Sequence, residues 1–170
     1  TNSLLHVTKI TKIVLATTIN PEDDKLEALA NRIGILCYRG SELDVMGRVL
    51  NAALNTQTDI IIEITADCPL IDIEIVDQVL ETYLINNFDY VSNNNYPSYP
   101  DGFDVRVMAT NILSHSYKLA KKKSHFEHVT LHIRENPEIY AICNLLAPKN
   151  LRYPEIYVTL DELEDLKLIQ

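Results

Sequence analysis

Short apolar runs alternate with segments of helical period, and this alternation most constrains how the chain can fold. KIVLATT (12–18) is β-branched and apolar, ILCYRG (35–40) reads as a strand, and DIIIEIT (59–65) carries an apolar run. Between the first two, PEDDKLEALANRIG places Leu26, Leu29, Ala30 and Ile33 on one helical face, with Gly34 at its end. Asn20-Pro21 supplies an N-cap and a first-turn proline. Ser41 is positioned to cap a helix over ELDVMGRVLNAALN, and Asp72 to cap one over IEIVDQVLETYLI. DYVSN then reads as a short strand, NNYPSYPDG as a loop and DVRVMAT as a strand. TNILSHSYKLAKK and SHFEHVTLHIREN read as helices, EIYAICNLL and EIYVTL as strands, and DELEDLKLIQ as a closing helix.

Strands alternating with helices predict an α/β sandwich around a mainly parallel sheet. Near-continuous apolar strands such as DIIIEIT suit a sheet covered on both faces. The 170 residues suffice for one domain with a hydrophobic core. In such folds ligands bind beyond the carboxyl ends of the strands, and Asp67 of ITADCPLID (64–72) falls at one.

Charge and composition narrow the chemistry. The chain has 24 Asp and Glu against 15 Lys and Arg, a net charge of −9. Only Lys121, Lys122 and Lys123 cluster, so nucleic acid is not the expected partner. An acidic protein that handles phosphates needs a metal or a local basic loop to offset its own field. Cys37, Cys68 and Cys143 are widely spaced with no CxxC, which suits a reduced, cytoplasmic protein. No apolar stretch reaches the roughly 20 residues of a membrane span. With four glycines, no GxGxxG, GxxxxGK[ST] or GxSxG motif can be drawn.

Several residues invite a functional reading. Asp72 already caps its helix, which leaves Asp67 without a structural duty and favours it as a metal ligand. One carboxylate seldom holds Mg²⁺, which takes one or two together with substrate phosphates. Asp161 also follows an apolar strand and opens a helix, as an N-cap with Glu164 completing a capping box. Capping does not exclude a second role. Asp101 and Asp104 either form a tight turn with Gly102 or line a mouth beside the strand ends. Cys68 reads as a packing residue. His125, His128 and His132 share one face if SHFEHVTLHIREN is a single helix, but their order is not HExxH. Half-buried helix residues are the simpler account, with a histidine metalloenzyme as the alternative.

Taken in order, ATTINPEDDKLEALA, YRGSELDVMGRVLNAA, ITADCPLID, YVSN, YPDGFDVRV, EHVT and TLDELEDLKLI resemble the cytidylyltransferase-like family of the spore coat polysaccharide biosynthesis protein SpsF. That family is related to the synthetases that make CMP-sialic acid and CMP-Kdo. The resemblance implies a three-layer, Rossmann-like nucleotide-diphospho-sugar transferase fold. It implies Mg²⁺-dependent transfer of a cytidylyl group from CTP to a sugar or sugar acid, with release of pyrophosphate. Asp67 and Asp161 match the metal-binding aspartates. Asp101, Gly102 and Asp104 match a PDGxDV loop expected to face the acceptor. Arg39, Asp44 and Arg48 match a segment that contacts nucleotide or acceptor, and Glu127 and His128 match the EHVT element. Related synthetases are often dimers, so a homodimer is an open expectation.

This chain departs from the family pattern. The basic, glycine-containing loop that cradles CTP would precede Thr1, and about two helical turns are wanting between Val7 and KIVLATT. The expectation is that these segments belong to a longer polypeptide. Ala66 stands for the usual glycine, Arg106 for the usual acid of DVEV, and Leu131 for the proline after EHVT. A degenerate, non-catalytic nucleotide- or sugar-binding module is therefore the alternative reading.

Overall fold

The computed structural model describes residues 9–169. They form two compact units. One contains residues 9–61 and Ala109–Ile139; the other contains Ile62–Met108 and residues 140–169.

In the first unit, strand β1 (Val14–Thr18) pairs in parallel with β2 (Leu36–Gly40). A 3-10 turn over Pro21–Asp23 leads into helix α1 (Asp24–Ile33), which Gly34 ends in the left-handed conformation at φ 75°. The Asn20 side chain does not cap; its amide donates to Glu42 instead. Helix α2 (Val45–Asn55) buries Met46, Leu50, Ala52 and Ala53 and packs on β1, β2 and two further helices, α4 (Thr110–Leu119) and α5 (Lys123–Glu127). Its cap is Asp44, whose carboxylate accepts from the Gly47 amide, rather than the expected Ser41. Ser41 serves one step earlier, with its hydroxyl accepting from the Asp44 amide.

SHFEHVTLHIREN is not one helix. It divides into α5 and α6 (Leu131–Glu135), with His128 extended between them. Val129 and Thr130 lie at the break; both are β-branched and both are buried. The three histidines therefore do not share a helix face.

A four-stranded sheet has the order β3 (Ile60–Glu63), β5 (Arg106–Ala109), β4 (Tyr90–Ser92), β6 (Ile142–Asn144). β4 runs antiparallel to β5 and parallel to β6. Helix α3 (Ile73–Ile85), capped by Asp72 as expected, turns Ile75, Val76, Val79 and Leu80 into the core beside β4. The chain closes on α7 (Leu163–Ile169).

EIYVTL is not a strand in this sheet. Its bonds go to turns rather than to a neighbouring strand, which leaves one isolated bridge between Asp101 and Tyr157. Among the described residues, no helix is long and apolar enough to cross a membrane.

Candidate active site

Three chain segments of the second unit converge on one patch of aspartates. The Asp101 amide donates to the Ile156 carbonyl at 2.9 Å, and the Val158 amide returns a bond to the Asp101 carbonyl at 2.8 Å. Two residues on, the Leu160 amide donates to the Asp67 carbonyl at 2.8 Å. The segment 156–160 is thus stitched to the PDG turn and to the turn after β3, and it delivers Asp161 beside both. Gly102 makes this approach possible. It has φ 108°, and a Cβ there would stand 2.9 Å from Val158 Cγ2 and 3.0 Å from the Val158 carbonyl carbon.

The electrostatics reflect this convergence. Partial burial pushes the Asp101 carboxyl above the usual range, and the charges of Asp104, Asp67 and Asp161 add to it. Asp104 accepts from the Asn94 amide at 2.6 Å and from Arg106 at 3.0 Å. Arg106, the residue that replaces the usual acid, also pairs with Glu63 at 3.0 Å. Its side chain is 14% exposed and that of Glu63 11%. Burial opposes the Arg106 charge, and Glu63, Tyr90 and Asp104 outweigh it.

The helix-opening role expected of Asp161 falls partly to another residue. Asp165 accepts from the Asp161 and Glu162 amides at 3.0 and 2.8 Å, while Thr159 donates its hydroxyl to the Asp161 carboxylate at 2.8 Å. Glu164 faces Lys167 instead of completing a capping box.

Cys68 is a buried packing residue whose thiol burial pushes up to about 11, which removes it as a nucleophile at neutral pH.

The donor set at this patch suits a hard divalent cation: carboxylate oxygens, half-buried at Asp67 and exposed at Asp161. Among the described residues, no three His, Cys, Asp or Glu side chains form a metal cage. Two carboxylates completed by substrate phosphates is the usual Mg²⁺ arrangement, and the patch fits it.

The other expected residues lie in the first unit. Arg39 is clamped by its surroundings, donating to the carbonyls of Thr18 and Asn20 and to the carboxylates of Asp24 and Glu27. It pins the β1–α1 turn that also contains Asp23, which accepts from both hydroxyls and one amide of Thr17 and Thr18. Those bonds, led by the Thr18 hydroxyl, hold the Asp23 carboxyl below its ordinary value. Asp44 accepts the Tyr117 hydroxyl at 2.7 Å in addition to capping α2. Arg48 donates to the Ser41 carbonyl at 2.7 Å, with its stem against Gly40. Glu127 and His128 are exposed at the α5–α6 break.

His125 and His132 meet edge to face at 5.0 Å. His125 reaches Glu135 at 2.9 Å, and buried His132 bonds the Ser116 hydroxyl at 3.0 Å.

Sequence reasoning missed Tyr117, Asp23 and the Glu63–Arg106–Asp104 network. Tyr117 is 73 residues from its partner Asp44, and no local pattern announces such a contact.

Strands joined through helices, parallel between β1 and β2 and between β4 and β6, define an α/β, Rossmann-like protein. The chain belongs to the cytidylyltransferase family, whose model matches residues 2–169. It is 40% identical over 160 residues to the uncharacterized protein MJ1063 of Methanocaldococcus jannaschii, covering 94% of this chain and 65% of the relative. It is 32% identical over 159 residues to the spore coat polysaccharide biosynthesis protein SpsF of Bacillus subtilis, covering 93% and 65%. The chain thus spans about two thirds of the length of these relatives. A cytidylyltransferase from Leptospira borgpetersenii superposes with a TM-score of 0.91 at 27% identity, over 99% of this chain and 71% of that one. CMP:2-keto-3-deoxy-manno-octonic acid synthetase, solved with CTP, shares the fold at a TM-score of 0.68 and 14% identity, over 99% and 83%.

Proposed function

We propose that the chain transfers the cytidylyl group of CTP to a hydroxyl of a sugar destined for a surface polysaccharide, with release of pyrophosphate. Asp67 and Asp161 would hold Mg²⁺, completed by the phosphates of the substrate. The observation that carries this reading is the backbone bond from Leu160 to Asp67, which joins the segment before Asp161 to the Asp67 turn, with both charges acting on Asp101. Family membership and the likeness to SpsF support the choice of CTP and of a polysaccharide precursor.

When bound, the ion neutralises phosphate charge and polarises the α-phosphorus for attack. The protein's own groups do the rest. The stitched segment 156–160 keeps the Asp161 carboxylate in place beside the Asp67 turn. Asp101 is held by its own backbone bonds to the 156–160 segment, beside the turn that bears Asp67. Arg39, bound to four partners, orders the turn after β1.

The test pairs calorimetric Mg²⁺ titration with pyrophosphate release from CTP in the presence of candidate sugars. Asp67→Asn and Asp161→Asn should each weaken Mg²⁺ binding and reduce release at least a hundredfold, roughly the scale of removing one strong electrostatic stabiliser. Unchanged release in both variants would remove the pair from the mechanism.

A further inference from the structure

The antiparallel ladder between β4 and β5 ends on a side chain. Past the last aligned pair, Ser92 with Arg106, the Asn93 amide donates to the Val105 carbonyl at 3.3 Å. A regular ladder would return the Val105 amide to the Asn93 carbonyl. Here that amide donates to Asn93 Oδ1 at 2.8 Å, while Asn93 Nδ2 donates to the Phe103 carbonyl at 2.8 Å. Asn93 is 1% exposed and Val105 wholly buried, so water does not compete for this clamp. The two bonds fix the amide's orientation, and they grip the backbone on either side of Asp104. The neighbouring Asn94 side chain holds the Asp104 carboxylate itself at 2.6 Å.

The gripped stretch is one end of the PDG turn. The Phe103 amide donates to the Pro100 carbonyl at 3.4 Å, which closes the turn over Asp101 and Gly102. The other side of that turn exchanges backbone bonds with Ile156 and Val158, and the same segment continues through Leu160 to Asp67. Apart from the isolated bridge at Asp101, no strand pairing holds 156–160 among the described residues. The segment takes its position from the turn, and the turn takes its position from Asn93.

We infer that Asn93 is a positioning residue for the metal pair: its clamp on Phe103 and Val105 holds the turn against which 156–160 is laid, and so sets where Asp161 stands relative to Asp67. The inference rests on the transferase reading given above, in which those two carboxylates hold the ion. Asparagine suits the task because one rigid group supplies a donor and an acceptor at once. An aspartate there would still accept from Val105 but would set an oxygen against the Phe103 carbonyl. Asn93 touches neither carboxylate. Its effect on the ion is that of an outer partner, which acts by orienting the groups that do bind.

Mn²⁺ serves as the probe on the full chain, since it takes the same oxygen donors as Mg²⁺ and its free form is counted by EPR. Asn93→Ala should weaken Mn²⁺ binding about tenfold, the lower end of what losing an outer partner costs. It should also speed hydrogen exchange at the amides of Asp101, Val158 and Leu160 and leave the amides of α3 unchanged. Tm should fall as well, because the Val105 amide is left buried without an acceptor. Val79→Ala, which opens a cavity in the core beside α3, is the control for lost stability and should keep wild-type Mn²⁺ affinity. Asn93→Ser replaces Asn93→Ala if the latter does not fold, and should show the same two effects. Wild-type affinity in the Asn93 variant, unchanged exchange at the three amides, or an equal loss of affinity in Val79→Ala would each overturn the inference. Asp67→Asn and Asp161→Asn score the metal reading separately. If the wild-type chain binds no Mn²⁺, or both of these variants bind it equally well, the metal pair fails and the inference with it. If they lose the ion and Asn93→Ala keeps it, the clamp alone fails.

Discussion

The Leu160 amide donates to the Asp67 carbonyl at 2.8 Å, a bond between residues 93 positions apart in the numbering of the chain. It stands one residue from Asp161, and it depends on the same close approach that Gly102 permits. Gly102→Ala introduces a Cβ 2.9 Å from Val158 Cγ2 at φ 108°, a conformation L side chains rarely adopt. The substitution should destabilise the protein by about 1–3 kcal/mol and weaken Mg²⁺ binding with it. Urea unfolding and calorimetry check the two effects, and wild-type values in both would show that the approach has slack.

Arg106 is the charge on which two carboxylates depend. Arg106→Met leaves Glu63 and Asp104 without their counter-ion at 11% and 21% side-chain exposure. The expected loss is about 3 kcal/mol, because an unpaired carboxylate this far from water is costly. Adding Glu63→Gln to that variant should recover part of the loss. A double variant as unstable as the sum of the singles would show that the ion pair is not the source.

Tyr117 holds Asp44 from across the first unit. Tyr117→Phe removes the hydroxyl and keeps the edge contact with Phe126 at 5.6 Å. It should cost about 1 kcal/mol by urea unfolding. Gly47→Ala should cost more, because the added Cβ collides with the same Asp44 carboxylate that caps α2. If Gly47→Ala proved as stable as the wild type, Asp44 would not need to stay where it caps.

Acidification should destabilise the first unit through His132. Burial holds its pKa below the ordinary 6.5, and the neighbouring His125 adds to this. His115 acts in the same direction, while Glu135 and Glu138 oppose it. The unfolded chain then binds the proton more readily, so stability is full above pH 6.5 and declines as pH falls through that value. His132→Gln should flatten the slope of the urea midpoint between pH 7 and 5. An identical slope in the variant would assign the pH dependence elsewhere. Glu135 acts at lower pH: Lys122, then His125, hold its carboxyl at about 2, so its contribution is present above 4.5 and lost on approach to 2.

Local pattern carried most of the elements. The period of PEDDKLEALANRIG, the Asp72 cap and the β-branched runs each act over a few residues, and tertiary packing had no cause to override them. The break in SHFEHVTLHIREN was the exception. The helical period runs unbroken in the sequence, yet the chain breaks at His128 with β-branched Val129 and Thr130 buried beside it, and the apparent histidine face vanished with it. EIYVTL failed as a strand for a related reason: strand character is local, but a ladder needs a partner, and the partners here are two turns.

The sequence by itself determined the alternation of strands and helices, the family, and the residue types at Asp67, Asp101 and Asp161. Only the tertiary structure decided that these aspartates share one patch, that Arg106 neutralises Asp104, and that Arg39 is held by its own turn. Residue type and short-range period are properties of neighbours along the chain. Convergence depends on a few backbone bonds between distant segments, such as that from Leu160 to Asp67, and amide groups are alike at every position, so nothing in the sequence marks which of them will meet.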